Sequence, residues 1–209
     1  MPKNSELVMV VKRELLFRND YFQGFRPANE VNYKSRILEN FEWMKRANAE
    51  RNSWYKQPIG YVAIVNPISK QIFSYQRPST TVYSEKRLHE KWSWGVGGHI
   101  EKSDTKWSDP IEASVLRELK EELGMEAKNQ ELKLIGYINN DTDEVGKVHF
   151  GLLYIVEILR AINPKETEIK NGKMRTIEEL EKITQSMKHE VEEWSKISLK
   201  PLKEYLERI

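Results

Sequence analysis

The chain of 209 residues contains no cysteine, which excludes disulfides, zinc–thiolate centres and cysteine nucleophiles. It also lacks an apolar run of the roughly 18 residues that a membrane-spanning helix needs, and its N-terminus lacks the apolar core of a signal peptide. The net charge is only +2, and the lysines are dispersed among glutamates, so no extended basic surface for nucleic acid is predicted. We therefore expect a cytoplasmic protein whose partners are neither membranes nor nucleic acid.

What the chain does contain is a series of β-rich runs and amphipathic stretches that predict an α/β protein. The N-terminal part is predicted to form a strand or hairpin over residues 6–17 and a helix over about 35–52, which Pro58 ends. The runs that follow predict a hairpin of strands 59–65 and 71–77, strands 131–140 and 147–159, and a polar loop over 163–173. Two helices are predicted near the C-terminus: one opens at Thr176 with Glu179 as its capping-box partner, and one covers roughly 187–207 with an interruption near Pro201.

A further helix is predicted over residues 110–123. Asp109 can cap its first turn, Pro110 suits the first helical position, and Gly124 provides the stop. Apolar residues recur along one side of this helix at the spacing of a buried stripe. They are Leu116, Leu119 and Leu123.

Three glutamates of the same helix, Glu118, Glu121 and Glu122, lie on a different face together with Ser114. Like charges at this spacing repel, and each such pair costs a few tenths of a kcal/mol. They also lie near the negative end of the helix dipole, where carboxylates are unfavourable. Because Mg²⁺ prefers oxygen ligands and often bridges to substrate phosphates, a divalent cation would explain why the three carboxylates are together.

The helix and the glycines before it resemble the Nudix box, in which a glycine and an acid precede the pattern R-E-U-x-E-E-x-G-U, with U aliphatic. The matching positions here are Gly98, Asp104, Arg117, Glu118, Leu119, Glu121, Glu122, Gly124 and Met125. The spacing from Asp104 to Arg117 is longer than usual, and an insertion of residues 105–109 would explain it while keeping both halves of the motif. In the alternative alignment Asp109 is the acid, and Ser103 then replaces the glycine.

The resemblance covers about residues 58–185 and implies the Nudix α/β/α sandwich around a mixed β-sheet. We accordingly expect residues 1–57 to form an N-terminal extension that packs on the core. Residues 58–209 would form the Nudix hydrolase domain, with the box at 97–125 and C-terminal helices. The extension could cover a sheet edge, complete the pocket or build a dimer contact, so a homodimer is one expected assembly.

The resemblance also implies a Mg²⁺ or Mn²⁺ cofactor and assigns roles to particular residues. The expected ligands of the ion are Glu118, Glu121, Glu122 and the carbonyl of Gly97 or Gly98. Arg117 would pair with a box carboxylate and orient it, so that Arg117, Glu118 and Glu121 form the expected catalytic set. Asp104 would play a similar orienting part from the loop.

The catalytic base remains open between several acids. Glu168, in the loop before Thr176, is the first candidate, and Glu166 lies beside it. Asp143 and Glu144 compete from the loop before the strand 147–159, and a box glutamate could serve instead. For each loop acid, a solvated side chain is the simpler interpretation.

Substrate contacts are predicted for Arg77, Gly98 and His99. Arg77 ends a strand that in relatives leads toward the substrate, although a surface salt bridge would explain it equally well. A structural role is the simpler interpretation for His99. Three further residues are expected in the core, although two of them could stack on a base: His149, Trp92 and Trp94.

These observations favour a Mg²⁺-dependent hydrolase that cleaves the diphosphate bond of a nucleoside diphosphate linked to another group. Its partner would be a small-molecule diphosphate, a nucleotide derivative. A non-catalytic Nudix-like nucleotide-binding module is the alternative, but such modules usually lose box carboxylates, and all are present here. Isopentenyl-diphosphate isomerase shares the GGH entry to the box, yet it normally needs a catalytic cysteine that this chain lacks.

Overall fold

A computed structural model of the chain describes residues 6–78, 88–159, 162 and 169–209. Its strands are β1 (Leu7–Lys12), β2 (Gly24–Pro27), β3 (Phe41–Lys45), β4 (Tyr55–Asn66), β5 (Gln71–Gln76), β6 (Trp92–Ser93), β7 (Leu132–Asn139), β8 (His149–Glu157) and β9 (Lys170–Thr176). Its helices are α1 (Arg13–Phe17), α2 (Tyr33–Asn40), α3 (Arg46–Ala49), α4 (Pro110–Leu123), α5 (Glu144–Val148), α6 (Ile177–Gln185) and α7 (Glu193–Arg208).

By their contacts the residues fall into two units. Unit 1 consists of Met1–Tyr61, Gly97–Val115 and Leu134–Tyr154. Unit 2 consists of Val62–Val96, Leu116–Lys133 and Ile155–Ile209. Each unit therefore draws on three separate stretches of the chain. Among the helices that the structure describes, none is both long enough and apolar enough to cross a membrane.

Unit 1 is organised around strand β1. This strand pairs antiparallel with β3, where Met9 lies opposite Trp43, and with β4, where Val11 lies opposite Lys56. The full strand order on this path is β2-β7-β8-β4-β1-β3. Beside the sheet, aromatic rings pack edge to face, for example Tyr33 on Tyr137 with ring centroids 5.0 Å apart, which adds to the stabilisation from their burial.

Unit 2 is organised around strand β5, which pairs with β4, β6 and β9. The β4–β5 turn is closed by the side chain of Asn66, whose Oδ1 accepts hydrogen bonds from the backbone N–H groups of Ile68 and Ser69. Such Asx turns satisfy backbone donors that a tight connection would otherwise leave to solvent. The predicted hairpin is confirmed.

Several other predicted elements are confirmed. Strands β7 and β8 fall within the predicted ranges 131–140 and 147–159, and α4 spans the predicted residues 110–123. Helix α6 begins after Thr176, and the reciprocal hydrogen bonds of the capping box with Glu179 are both present. These elements have caps, periodicity or long apolar runs that act locally, and this is why they can be read from the chain alone.

The helix predicted over about 35–52 is wrong in its middle. Residues 33–40 form α2, but Phe41–Lys45 form strand β3 and Arg46–Ala49 form the short helix α3. Pairing with β1 explains the difference, because a strand partner satisfies the backbone of β3 and tertiary context overrides a weak helical periodicity. In residues 6–17, the strand ends at Lys12 and a helical turn follows.

Three other predictions, two made from prolines and one from a polar stretch, differ from the structure. Pro58 lies inside β4 instead of ending a segment, and Pro201 lies inside a continuous α7. The predicted polar loop 163–173 overlaps β9, which begins at Lys170 and pairs antiparallel with β5. In each case the neighbouring elements stabilise a conformation that the local sequence disfavours.

Candidate active site

Helix α4 begins and ends where its sequence predicts. The Asp109 side chain accepts hydrogen bonds from the backbone N–H groups of Ile111 and Glu112, at 3.0 and 3.1 Å. Gly124 has a φ of +63°, a left-handed conformation that glycine adopts without strain. The two caps set the length of the helix and therefore the register of its acidic face.

The three glutamates of α4 in unit 2, which we call the carboxylate face (Glu118, Glu121 and Glu122), differ in exposure. Glu118 and Glu122 are half-buried, whereas the Glu121 side chain is 56% exposed. Arg117 pairs with two of them: its Nη1 lies 2.7 Å from Glu118 Oε1 and 3.2 Å from Glu121 Oε2. The chain itself therefore compensates part of the charge that the sequence alone left uncompensated.

The donor chemistry of the carboxylate face fits a hard divalent cation, because carboxylate oxygens are the protein ligands that Mg²⁺ prefers. Two of its members are partly removed from solvent, which strengthens their attraction to a cation. As the side chains stand, however, Glu118 and Glu121 are paired with Arg117. In the part of the chain that the structure describes, the one group of three or more ligand atoms converging within 4.8 Å lies elsewhere.

The glycine loop before α4 belongs to unit 1. A Cβ atom on Gly97 would lie 2.3 Å from the Gly60 carbonyl oxygen, so only glycine permits this close approach of two backbones. The next residue but one, His99, forms an antiparallel bridge with Ile59. The predicted tight turn of this loop is thus built into the backbone.

The loop acid Asp104 is buried and caps a short 3-10 turn over Lys102–Lys106. Its Oδ2 accepts a hydrogen bond from the Glu101 N–H at 2.8 Å. This local bond gives Asp104 a structural task. Its expected orienting role toward the ion remains a prediction.

The structure brings together three residues that no sequence pattern groups: Glu50, His99 and His149, which we call the imidazole cluster. His99 Nε2 lies 3.2 Å from His149 Nε2 and 3.4 Å from Glu50 Oε1. His149 Nε2 lies 3.7 Å from the same carboxylate oxygen. His149 is buried as expected, but it belongs to a polar cluster as well as to the core. Nothing in the sequence could have linked positions so far apart.

A network of largely part-buried charges lies near the imidazole cluster in unit 1. Asp141 accepts hydrogen bonds from Arg13 at 2.6 Å, Lys56 at 2.6 Å and the Tyr21 hydroxyl at 2.9 Å. We call these four residues the Asp141 network. Burial alone would raise the pKa of Asp141, but the donors outweigh it and hold the pKa below the ordinary value of 3.8.

Lys56 is the most deeply placed member of that network. Its side chain is fully buried, and its Nζ also donates to the carbonyl of Gly146 at 2.6 Å. Burial lowers the pKa of Lys56 to about 8, although Asp141 opposes the shift. The hydrogen bond to Gly146 ties β4 to helix α5, which directly precedes His149.

Arg77, the predicted phosphate ligand in unit 2, is buried and pairs with Glu192. The Ser93 hydroxyl donates to the other carboxylate oxygen of Glu192 at 2.9 Å. The alternative of a surface salt bridge is therefore wrong, because this ion pair lies in the interior of the unit. Trp92 and Trp94 are buried as well, which agrees with the core interpretation.

The structure describes two of the four loop acids that are candidates for the catalytic base. Glu166 and Glu168 lie outside the described residues. Asp143 caps α5 by accepting a hydrogen bond from the Gly146 N–H at 2.7 Å, and Glu144 is exposed and pairs with Lys147. The last two acids thus have local structural partners, and the identity of the base remains a prediction.

The comparisons with known proteins agree with the helix and loop described above. A model of the NUDIX domain family matches residues 56–196. Protein YmaB from Bacillus subtilis (strain 168) is 31% identical over 204 residues, which cover 93% of this chain and 96% of YmaB. The expected domain boundary after residue 57 stays a prediction.

Solved structures of Nudix proteins also align with this chain. The crystal structure of Tm1382, which is assigned to the Nudix hydrolases, aligns with a TM-score of 0.76 and 29% identity over 96% of this chain and 100% of its own. The NUDIX domain of Shewanella oneidensis NrtR, complexed with ADP ribose, aligns with a TM-score of 0.53 and 14% identity over 72% of this chain and 88% of its own. At that identity, the second likeness shows the fold alone.

The predicted α/β fold around a mixed sheet is confirmed, and with it the class of protein, a hydrolase of pyrophosphate-containing compounds. The chain belongs to the Nudix family, since the family match covers more than half of its residues. Fold and activity class are thus established together.

Proposed function

We propose that this Nudix protein hydrolyses the diphosphate bond of a nucleoside diphosphate linked to another group, with Mg²⁺ or Mn²⁺ as cofactor. The observation that carries the proposal is the carboxylate face of α4. Three carboxylates lie on one helical face. Arg117 pairs with two of them and offsets part of their mutual repulsion, which a bound cation would relieve further. Hydrolysis of a diphosphate needs such a cation, because negative charge accumulates on the reacting phosphoryl oxygens.

Glu118, Glu121 and Glu122 would hold the ion, and the carbonyl of Gly97 is added as a ligand by the family resemblance alone. When bound, the ion supplies Lewis-acid polarisation of a phosphoryl oxygen and activation of water. The half-buried positions of Glu118 and Glu122 favour them as the firmer ligands, since their carboxylates move less freely. The exposed Glu121 has room to approach solvent and is the box glutamate best placed to accept a proton from water.

Arg117 acts as a positioning residue in this proposal. Its two contacts with Glu118 and Glu121 fix the orientation of both carboxylates across one turn of the helix. A bound cation would take over part of that charge compensation. Both contacts come from Nη1, so we expect Arg117→Lys to keep the charge but to hold the two carboxylates less firmly, because a compact ammonium on a flexible stem replaces the planar guanidinium.

The remaining roles rest on the resemblance. Glu168 is proposed as the loop base, and Arg77 and Gly98 as substrate contacts. His99 is proposed as a third contact, although its imidazole faces His149 and Glu50. Arg77 would have to exchange its buried carboxylate partner for phosphate, so it is a weaker candidate than His99.

The test is a screen with product identification in Mg²⁺, using nucleoside triphosphates, dinucleotides, ADP-sugars and prenyl diphosphates. The ADP-ribose complex of the structurally similar NrtR domain is a reason to include ADP-ribose. We expect turnover of a nucleotide derivative that stops in excess EDTA. Full turnover in EDTA would remove the metal from the proposal, and nucleotide binding without any turnover would favour a binding module.

Glu118→Gln and Glu122→Gln are the informative variants on the substrate that the screen identifies. Each should lower turnover by about 100-fold or more, as expected when a group that positions the ion is lost. The matched control is Glu126→Gln, which removes an exposed carboxylate just beyond α4 that pairs with Lys120. Equal activity in all three variants would contradict the assignment of the carboxylate face.

A further inference from the structure

We propose that Glu50, His99 and His149 form a second cation site, selective for a first-row transition metal such as Zn²⁺ and separate from the carboxylate face. All three residues belong to unit 1. Their ligand atoms lie within 4.8 Å of one another. The proposal concerns these three side chains and does not depend on the hydrolase activity.

The spacing of the three atoms suits a tetrahedral ion. With metal–ligand bonds near 2.0–2.2 Å, two tetrahedral ligands lie about 3.3 Å apart. The observed separations are 3.2 Å between the two Nε2 atoms, 3.4 Å from His99 Nε2 to Glu50 Oε1 and 3.7 Å from His149 Nε2 to Glu50 Oε1. Small side-chain rotations would suffice to place one ion at bonding distance from all three.

A hydrogen bond at Nδ1 of His149 leaves Nε2 of the same ring as the metal ligand. Nδ1 lies 2.7 Å from the carbonyl oxygen of Val145. A carbonyl can only accept, so Nδ1 carries a proton, and a neutral ring with its proton there offers the lone pair of Nε2 toward His99 and Glu50. An imidazole held by its outer nitrogen in this way is the usual arrangement of a metal-binding histidine.

Donor type points to the class of metal. Two imidazole nitrogens and a carboxylate suit zinc and other first-row transition metals, whereas Mg²⁺ prefers oxygen alone. His149 is buried, and the His99 and Glu50 side chains are only 14% and 19% exposed, so a bound ion would be shielded from bulk water. Three protein ligands leave the fourth tetrahedral position for water or another donor.

Arg46 is a cation beside the cluster. Its Nε lies 3.8 Å from Glu50 Oε1, beyond hydrogen-bond distance. At this separation Nε attracts the carboxylate without donating a hydrogen bond to Oε1. A shared proton among the three groups is the competing explanation, because His99 Nε2–H could donate to either neighbour.

Metal binding to the intact protein tests the proposal. After removal of metals by dialysis against chelator, Zn²⁺ is titrated by calorimetry in excess Mg²⁺, which occupies hard oxygen sites. Wild-type protein should bind a single Zn²⁺ per chain, and Co²⁺ in its place should give the visible absorption of a tetrahedral complex. Failure of wild type to bind Zn²⁺ would overturn the proposal and leave a hydrogen-bonded histidine pair.

Variants locate the bound ion. His99→Ala, His149→Ala and Glu50→Gln should each weaken Zn²⁺ binding by at least about 100-fold, more than is lost with an outer-shell partner. His189→Ala, which removes an exposed histidine of unit 2, and Glu118→Gln should bind as wild type does. Unchanged affinity in the first three variants would overturn the site, whatever the outcome of the hydrolase screen.

A measurement on wild-type protein tests the site without variants, so it does not depend on whether each variant folds. The ring ¹⁵N signals of the four histidines are recorded as Zn²⁺ is added. Two rings should respond at Nε2 and saturate together at one equivalent, because both bind the same ion. A response spread over all the rings, or none, would reject the assignment.

Discussion

The carboxylate face and the imidazole cluster are two sets of possible cation ligands that the fold assembles in opposite ways. The carboxylate face comes from one helix, is half-exposed, and is compensated by a neighbouring arginine on the same helix. The imidazole cluster takes one residue from each of three distant segments and lies beside the Asp141 network, of which Lys56 is fully buried. A site on one helix depends on local periodicity, whereas a site from three segments depends on the integrity of the whole unit.

The largest effect should come from removing the charge that supports the imidazole cluster. Asp141→Asn leaves Arg13 and the fully buried Lys56 without their common carboxylate, and a buried charge that loses its partner in this way costs about 3–5 kcal/mol. We expect the free energy of unfolding in urea at neutral pH to fall by that amount. A loss below about 0.5 kcal/mol, as for an ordinary surface substitution, would show that the network contributes little.

The second-largest effect is a dependence of stability on pH that comes from Lys56. Its folded pKa is about 8, below the ordinary 10.5, because it is buried. Between these values the unfolded chain still binds the proton and the folded chain has lost it, so stability rises with pH through this window.

Lys56→Met removes that titration. Between pH 8 and pH 10.5, the free energy of unfolding of the wild type should therefore rise relative to that of the variant. The rise should be up to about 3 kcal/mol, the free-energy equivalent of the shift in pKa. Urea denaturation of both proteins across this range is the measurement. Parallel stability curves would mean that Lys56 stays charged in the fold.

The stabilisation by Mg²⁺ of variants in each set tests whether the carboxylate face and the imidazole cluster act independently. Mg²⁺ at about 100 times its dissociation constant should stabilise the wild type by about 2.7 kcal/mol, seen as a higher melting temperature. Glu121→Gln combined with Glu122→Gln should reduce that increment, and His149→Ala should leave it unchanged. If His149→Ala removed the Mg²⁺ increment too, the two sets would not be independent.

The smallest effect is expected for Glu121→Gln without any ion. This is the same carboxylate-to-amide change as Asp141→Asn, but on a side chain that is 56% exposed. It relieves repulsion from Glu118 and also loses the contact with Arg117, each worth a few tenths of a kcal/mol. The net change in the free energy of unfolding should stay within about 0.5 kcal/mol. A larger loss would show that the carboxylate face also stabilises the fold.

The sequence by itself determined the features that arise within one segment. The bounds of α4, its Asp109 cap, its Gly124 stop and its acidic face follow from the helical repeat and from capping chemistry, which act over a few residues. The hairpin of β4 and β5 and the capping box of α6 follow for the same reason. The family resemblance rested on these local patterns, and this is why it survived errors elsewhere in the chain.

The tertiary structure decided whatever depends on a partner distant in sequence. Phe41–Lys45 became a strand because β1 offers it backbone partners, Pro58 lies within β4, and Arg77 found a buried carboxylate in Glu192. The imidazole cluster is the extreme case, because no local sequence pattern links Glu50, His99 and His149. Only the packing of three segments brings their ligand atoms within 4.8 Å, and the free energy that holds them there comes from burial and pairing throughout unit 1 and not from any local rule.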